Sequence, residues 1–446
     1  MRRAELAALG LLLLAYLALG VLFAVRTPPW QAPDEPAHVN YVRQLVAGQL
    51  PVIAPGDWDQ TYLGEIVGAE FAPGYPVSGL TYEDWQPPLY YLLQAPVYAL
   101  SGGGLTAMRL LSVTLGAGVV ALAWAAGRAI FGRAAPALAV AAFVAFLPQH
   151  LAILASVNND ALAELIIAAA LALLVVAWPE RPPGRRLLAL GLLLGAAFLT
   201  KGTAYLLAPV IGVFLLLRYG RQWRPLARAL ALVFGPALLL GLLWWGRNVA
   251  VYGGLDVLAR AAHDAVVVGQ PRTAEWVAQY GLGGTVGRFV RTTFNSFWGQ
   301  FGWMAAPLPG WMYGPLLALT LAAAAGLFLA AVGGRRSAVD GRRPTTDRRQ
   351  RKMQALVLAL TFLLTLGLHV AYNLTFVQHQ GRYLFPALIP IAVGIVAGLG
   401  YWLRALAGWF GKPPYSGEWL LPLGLAGLLI AIDLFALWRI LPNLYP

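Results

Sequence analysis

The sequence predicts an all-α membrane protein: one polytopic unit over residues 1–446, with about eleven transmembrane helices and juxtamembrane helices in two long outer loops. Three observations predict it. The chain is 59% hydrophobic with mean hydropathy +0.66, well above a soluble globular composition. Apolar runs of about 20 residues recur, each long enough to cross a hydrocarbon core of about 30 Å. The charged residues between those runs sort by sign. A membrane β-barrel would instead show alternating apolar and polar residues. The sequence contains no cysteine, which excludes disulfides and thiolate metal sites.

The eleven runs lie at about 5–25, 109–131, 136–155, 159–178, 187–200, 204–219, 229–246, 312–333, 355–373, 383–403 and 419–438. The first is too long for a signal-peptide core and lacks a small-residue cleavage site, so it reads as an anchor. With the N-terminus in the cytoplasm, 21 of the 32 basic residues fall inside and 14 of the 19 acidic residues fall outside. Every inner loop is then basic, as the positive-inside rule requires, and the C-terminus lies outside. The basic cytoplasmic loop 334–353 reads as a solvated, topogenic segment near anionic lipid heads rather than a nucleic-acid site.

The first outer loop, 26–108, opens with Gln31-Ala-Pro-Asp-Glu-Pro-Ala-His38. Pro36 suits the first position of a helix running to about Val46, which puts Asp34 and Glu35 at its mouth and His38 one turn inside. One carboxylate suffices to cap a helix. Two carboxylates with a histidine point to a site. Further on, Pro87 or Pro88 opens an interfacial helix over 88–100 that carries Tyr90, Tyr91 and Tyr98. The second outer loop, 247–310, is rich in Trp, Gly and Arg and is expected to hold short helices lying over the membrane.

The shorter outer connections carry the remaining unusual residues. Ser156-Val-Asn-Asn-Asp160 precedes the fourth run, where Asp160 is either a cap, with Glu164 one turn further in, or part of a site. Lys201 stands in an outer turn with no carboxylate beside it in sequence; it either snorkels to lipid phosphate or holds an anionic ligand. Arg382 opens the tenth run among Gln378, His379, Gln380 and Tyr383. The polar residues that topology does not explain are thus Asp34, Glu35, His38, Gln86, Asp160, Lys201, Arg247 and Arg382, all on one side. A carboxylate can act as general base on a hydroxyl, and separated cations can stabilise a phosphate leaving group. Nothing matches a Walker loop, a dinucleotide turn or a zinc helix.

The segments Pro33-Asp-Glu-Pro-Ala-His38, Gln86-Pro-Pro-Leu-Tyr-Tyr91, Asn158-Asn159-Asp160, Leu199-Thr-Lys201 and Gln380-Gly-Arg-Tyr-Leu-Phe-Pro386 resemble a family of bacterial membrane proteins. That family is similar to the GT-C glycosyltransferases, which include protein O-mannosyltransferases and aminoarabinose transferases. The resemblance runs in order over nearly the whole chain and is specific for the superfamily, not for a substrate. It implies a GT-C-like fold in a bacterial-type inner (plasma) membrane. It implies a polyprenyl-phosphate sugar donor, a glycan, lipid or protein acceptor, and inversion at the anomeric carbon. It places the base at Asp34 or Glu35, and substrate contacts among His38, Gln86, Tyr90, Asn159, Asp160, Lys201, Arg247, Gln380, Arg382 and Tyr383. A divalent metal between Asp34 and Asp160 is an option only if the fold joins them. The chain departs from many relatives at Gln86, where they carry Lys or His, and with no large soluble C-terminal domain expected, acceptor recognition is expected to come from the outer loops. The alternative reading, a flippase for lipid-linked glycans, calls for charged or broken helices at the midplane and repeated halves, which the sequence does not display.

Overall fold

A computed structural model describes residues 2–179, 182–337, 345–413, 415 and 417–444. Glu180, Arg181, Asp340, Arg342 and Arg343, which entered the charge sorting, lie outside the described residues, as does the middle of the expected loop 334–353. In chain order the helices are α1 Arg2–Arg26, α2 Glu35–Val46, α3 Gln60–Gly68, α4 Leu89–Ser101, α5 Leu105–Phe131, α6 Ala134–Phe146, α7 Pro148–Leu154, α8 Asp160–Val175 and α9 Gly184–Phe198. They continue as α10 Leu207–Tyr219, α11 Trp223–Tyr252, α12 Arg260–Val266, α13 Thr273–Trp298, α14 Gly310–Ser337, α15 Thr345–Asn373, α16 Leu388–Trp409 and α17 Leu420–Phe435. Tight turns at Gly202–Leu206 and Gly381–Ala387 lead into α10 and α16. The sheet among the described residues is one small antiparallel pair, β1 Gln300–Phe301 with β2 Ala306–Pro307.

Helices stand at all eleven places that hydropathy marks. Among the described residues, eight are long and apolar enough to cross a membrane, or nine if the bent pair α6–α7 counts as one span. The chain is therefore built as a multi-pass membrane protein, and helix length supports at least eight crossings without confirming the count of eleven. Helices α8 and α9 have 16 and 15 residues. At 1.5 Å per residue each is about 24 Å long or less, short of a core of about 30 Å. The shortfall has a packing reason for α8: most of its residues are buried against protein rather than lipid.

The core is centred on α6, in which every residue from Ala135 to Phe146 is buried. Alanine and valine dominate it, so α1, α5, α16 and α17 all approach closely. Pro148 ends α6, and α7 leaves at 63°. Helices α14 and α16 cross where Gly326 and Gly398 leave no room for a Cβ against the facing backbone. The two ends of the bundle differ. One end gathers arginine contacts: Arg128 with Glu5 at 2.8 Å, Arg133 with Glu418, Arg186 over Trp178, and Arg218 on the carbonyls of Trp178 and Pro179. The other end carries the two long loops.

In the first loop, Pro36 lies in the first turn of α2, and α4 starts directly after Pro88. A buried ion pair sets the entry to α2. Arg109 on α5 donates to Glu35 Oε1 at 2.8 Å and Oε2 at 2.6 Å. It also donates to the carbonyls of Ala24, Thr27 and Pro28. Glu35 in turn accepts from the Trp30 and Val157 backbone N–H groups. Every polar atom of the pair is thereby satisfied, which is the condition for burying charge. The second loop packs on the first: Trp58 Nε1 donates to Val268 O at 2.7 Å, and Trp303 Nε1 to Trp30 O at 2.9 Å. It holds α12 and the long α13, which kinks at Gly281, so the expected short helices are only part of it. Removing one partner of the pair leaves a buried charge uncompensated. Arg109→Ala is predicted to destabilise by about 3–5 kcal/mol, and Glu35→Gln, which keeps a neutral acceptor for Arg109, by less. Thermal unfolding of the purified protein in detergent checks the order of the two.

Candidate active site

Five segments converge at the loop end of the bundle: the start of α2, the approach to α4, the start of α8, the connection from α9 to α10, and the turn before α16. Asp34 sits at the N-cap position of α2 with φ 66°, and its side chain makes no capping bond. This left-handed backbone is uncommon for a non-glycine residue, though aspartate tolerates it better than most. It frees the carboxylate to accept from Arg382 Nη2 at 2.5 Å and from the Tyr82 hydroxyl at 3.0 Å. On the facing side Lys201 Nζ donates to Asp160 Oδ1 at 2.6 Å. The Asp160 carboxylate also interacts electrostatically with Arg382 and His38, so the two ion pairs share one site. Side-chain exposures of 22% for Asp34, 19% for Asp160, 17% for Lys201 and 7% for Arg382 leave the cluster reachable from outside.

His38 closes the floor. Its Nδ1 is 2.9 Å from the Tyr91 hydroxyl, and Tyr91 stacks on Tyr41 at 3.7 Å. Asn159 Nδ2 donates to both Tyr91 and Gln86 Oε1 at 3.3 Å. Burial pushes the His38 imidazole down to about 3, aided by Lys201 and Arg382 and opposed by Asp34 and Asp160, so it is neutral at physiological pH. Burial alone would raise the Asp34 carboxyl; the charge and hydrogen bond of Arg382, with smaller help from the Tyr82 hydrogen bond, outweigh it and hold Asp34 below the usual range. Glu83 goes the other way. Burial and the Asp34 charge push it up to about 8. It is therefore mostly protonated at neutral pH, and the resting cluster holds two negative and two positive charges.

Several buried polar atoms here lack a hydrogen-bond partner among the described residues: Arg382 Nε, Asn158 Nδ2, Asn159 Oδ1 and Glu83 Oε2. Such atoms are rare in native proteins, and their occurrence around these two ion pairs suits a polar ligand. As for the metal option, no group of three or more His, Asp and Glu side chains suited to hold an ion is found among the described residues. Asp34 and Asp160 each already face a cation.

The structure thus brings together Asp34, His38, Gln86, Asn159, Asp160, Lys201 and Arg382, with Tyr383 under the Arg382 guanidinium at 5.6 Å. Other sequence candidates are engaged with partners of their own. Glu35 is fully buried in the Arg109 clamp, with both oxygens engaged. Tyr90 faces Ser112 and Gln94 in the core, at 2.8 Å each. Arg247 binds the Pro51 carbonyl, Asn248 and Tyr252 and lies over Trp244. Gln380 bonds Gln378. Sequence reasoning missed Glu83, Tyr82 and Tyr91 as site residues. The signal for Glu83 was a third acidic residue just ahead of Gln86-Pro-Pro; Tyr91 closes a quoted motif.

Residues 85–245 match the family model for dolichyl-phosphate-mannose-protein mannosyltransferase. ArnT from Cupriavidus metallidurans, solved bound to undecaprenyl phosphate, superposes with a TM-score of 0.50 at 17% identity, covering 98% of this chain and 74% of ArnT. The Archaeoglobus fulgidus oligosaccharyltransferase, solved tethered to an acceptor peptide, superposes with a TM-score of 0.52 at 14% identity. That match covers 99% of this chain and 54% of the oligosaccharyltransferase. The fold is that of the GT-C glycosyltransferases. No curated protein sequence matches the chain. Within the GT-C frame, the family-model match takes in the approach to α4, the Asn158–Asp160 segment and Lys201, but neither Asp34 nor Arg382.

Glu83 gives this site a pH signature. A carboxyl with a raised folded-state value contributes stability below its unfolded value, and loses it as pH rises through the folded value. Between about pH 4.5 and pH 8 the wild type is predicted to lose stability that Glu83→Gln keeps. Thermal unfolding of both proteins across that window checks this; parallel curves would contradict it.

Proposed function

We propose that the chain is a GT-C-type glycosyltransferase that moves a sugar from a polyprenyl-phosphate carrier to an acceptor hydroxyl on the outer face of a bacterial-type plasma membrane. The observation that carries this is the neighbouring of the Asp34–Arg382 and Asp160–Lys201 pairs, both partly exposed, in a GT-C fold. The positive-inside rule supports the orientation: the arginine-rich end lies in the cytoplasm with the N-terminus, and the pocket and the C-terminus lie outside. There a lipid carrier presents its phosphate at the interface.

Charge balance supplies the mechanism. The resting site is neutral. A carrier phosphate brings negative charge and competes with Asp34 for Arg382, whose free Nε offers a second donor. Lys201, a compact charge with three donors, reaches the same phosphate from the Asp160 side. Release from Arg382 leaves Asp34 as a free carboxylate beside the acceptor. The acceptor hydroxyl oxygen then attacks the anomeric carbon, its proton passes to Asp34, and the bond to the phosphate oxygen breaks with the electron pair going to the phosphate. The two cations stabilise the phosphate as it leaves. Attack opposite the leaving group inverts the anomeric centre. Glu35 takes no part in the chemistry, because the Arg109 clamp occupies it. The acceptor is a glycan, lipid or protein hydroxyl, read by the two long loops.

The test is transfer of label from radiolabelled polyprenyl-phosphate sugars into a native membrane extract. Asp34→Asn is predicted to lower turnover by about 10²–10⁴-fold. Arg382→Ala and Lys201→Ala are predicted to weaken use of the carrier. Equal label release by wild type and Asp34→Asn would contradict the role of Asp34. Loss of lipid translocation in Asp34→Asn, with no transfer by any protein, would replace the transferase with a flippase.

A further inference from the structure

Pro148 has no N–H, so the Val144 carbonyl of α6 loses the helical partner it would have had four residues on. His150 replaces that partner: its Nδ1 lies 2.7 Å from Val144 O. A carbonyl only accepts, so Nδ1 carries the hydrogen. On the other side of the ring, Nε2 lies 2.6 Å from Glu164 Oε2. Two bare acceptors cannot sit that close, so a proton lies between them. His150 is fully buried and the Glu164 side chain is 5% exposed. Capping Val144 needs Nδ1 alone and does not explain the second bond. An ionisable pair inside a membrane bundle is costly unless it has a task.

Its surroundings indicate the task. Glu164 lies on α8 one helical turn from Asp160, and Asp160 and Lys201 are charges it feels after His150 itself. The His150 ring meets the edge of Phe385 with centroids 5.2 Å apart, and Phe385 shares the turn Gly381–Ala387 with Arg382. The neighbouring Gln149 accepts from the Gln300 backbone at 2.7 Å, which fixes α7 to the second loop. One short helix therefore touches α8, whose Asp160 holds Lys201, and the turn that bears Arg382.

We propose that His150 and Glu164 form a positioning dyad: their shared proton locks α7 to α8 and sets the spacing between the Asp160–Lys201 pair and Arg382. The dyad touches no substrate. Its value for carrier binding rests on the function proposed above, whereas its hold on Lys201 does not.

Glu164→Gln is the informative variant. Its amide can donate to Nε2 while Nδ1 stays on Val144, so the contact survives without the shared proton. The protein has three lysines, Lys201, Lys352 and Lys412. Nitrogen-15 labelling of lysine thus gives three side-chain signals. In Glu164→Gln the Lys201 signal is predicted to move while the other two stay, with an unchanged unfolding temperature. The dissociation constant for undecaprenyl phosphate is predicted to rise about tenfold. An unmoved Lys201 signal overturns the proposal whatever the lipid does. A matching fall in unfolding temperature overturns it too, since the dyad would then be plain scaffolding. If Lys201 moves but wild type binds no undecaprenyl phosphate, the dyad stands and the carrier reading falls.

Discussion

The buried clamp between Arg109 and Glu35 is the constraint on which the site depends. Arg109 gathers three carbonyls from residues 24–28 and both oxygens of Glu35, and Glu35 reaches on to the backbone of Val157. The end of α1, the start of α2, α5 and the approach to α8 are thereby fixed to one guanidinium. Such a pair is not a source of net stability, because desolvating two charges offsets their attraction. Its effect is geometric. With Glu35 held inward, the adjacent Asp34 adopts a left-handed backbone and turns its carboxylate the other way, toward Arg382. Two neighbouring carboxylates in one chain thus end up with opposite surroundings, one sealed and saturated, the other partly open and paired with a cation that a ligand can claim.

The same separation of roles extends to the arginines of the whole bundle. Arg128, Arg133, Arg186 and Arg218 pair with carboxylates, lie over aromatic rings or cap carbonyls at one end, where they suit a lipid-water boundary. Arg382 sits at the other end, nearly buried, beside a carboxylate and a lysine pair. Burial there weakens screening, so the exchange of one anion for another on Arg382 carries more energy than it would at a surface. Protonated Glu83 and neutral His38 keep the resting charge at zero, so the phosphate of the proposed carrier would meet no excess negative charge.

Much of this was legible in the sequence. Hydropathy located every helix of the bundle, and Pro36 and Pro88 marked the starts of α2 and α4, because these signals are local. That α8 is short and packed against protein was not recognisable, since an apolar run does not reveal whether it meets lipid or protein. Asp34, Asp160, Lys201 and Arg382 stood out as polar residues without a topological reason. Asp34 and Glu35 could not be separated, because their difference lies in a partner 74 residues away from Glu35. Arg109 itself read as the edge of a span. Arg247 shared a side of the membrane with the site but not its pocket. His150 was hidden in an apolar run, with its partner across a helix break that only the three-dimensional path of α6 and α7 joins.

The central claim is that a carrier phosphate displaces Asp34 from Arg382. A structure of the protein with undecaprenyl phosphate tests it most directly. The account predicts the phosphate within hydrogen-bond distance of both Lys201 and Arg382, with the Asp34 carboxylate released and open to the pocket. A phosphate bound elsewhere, with the Asp34–Arg382 bond intact, would contradict it.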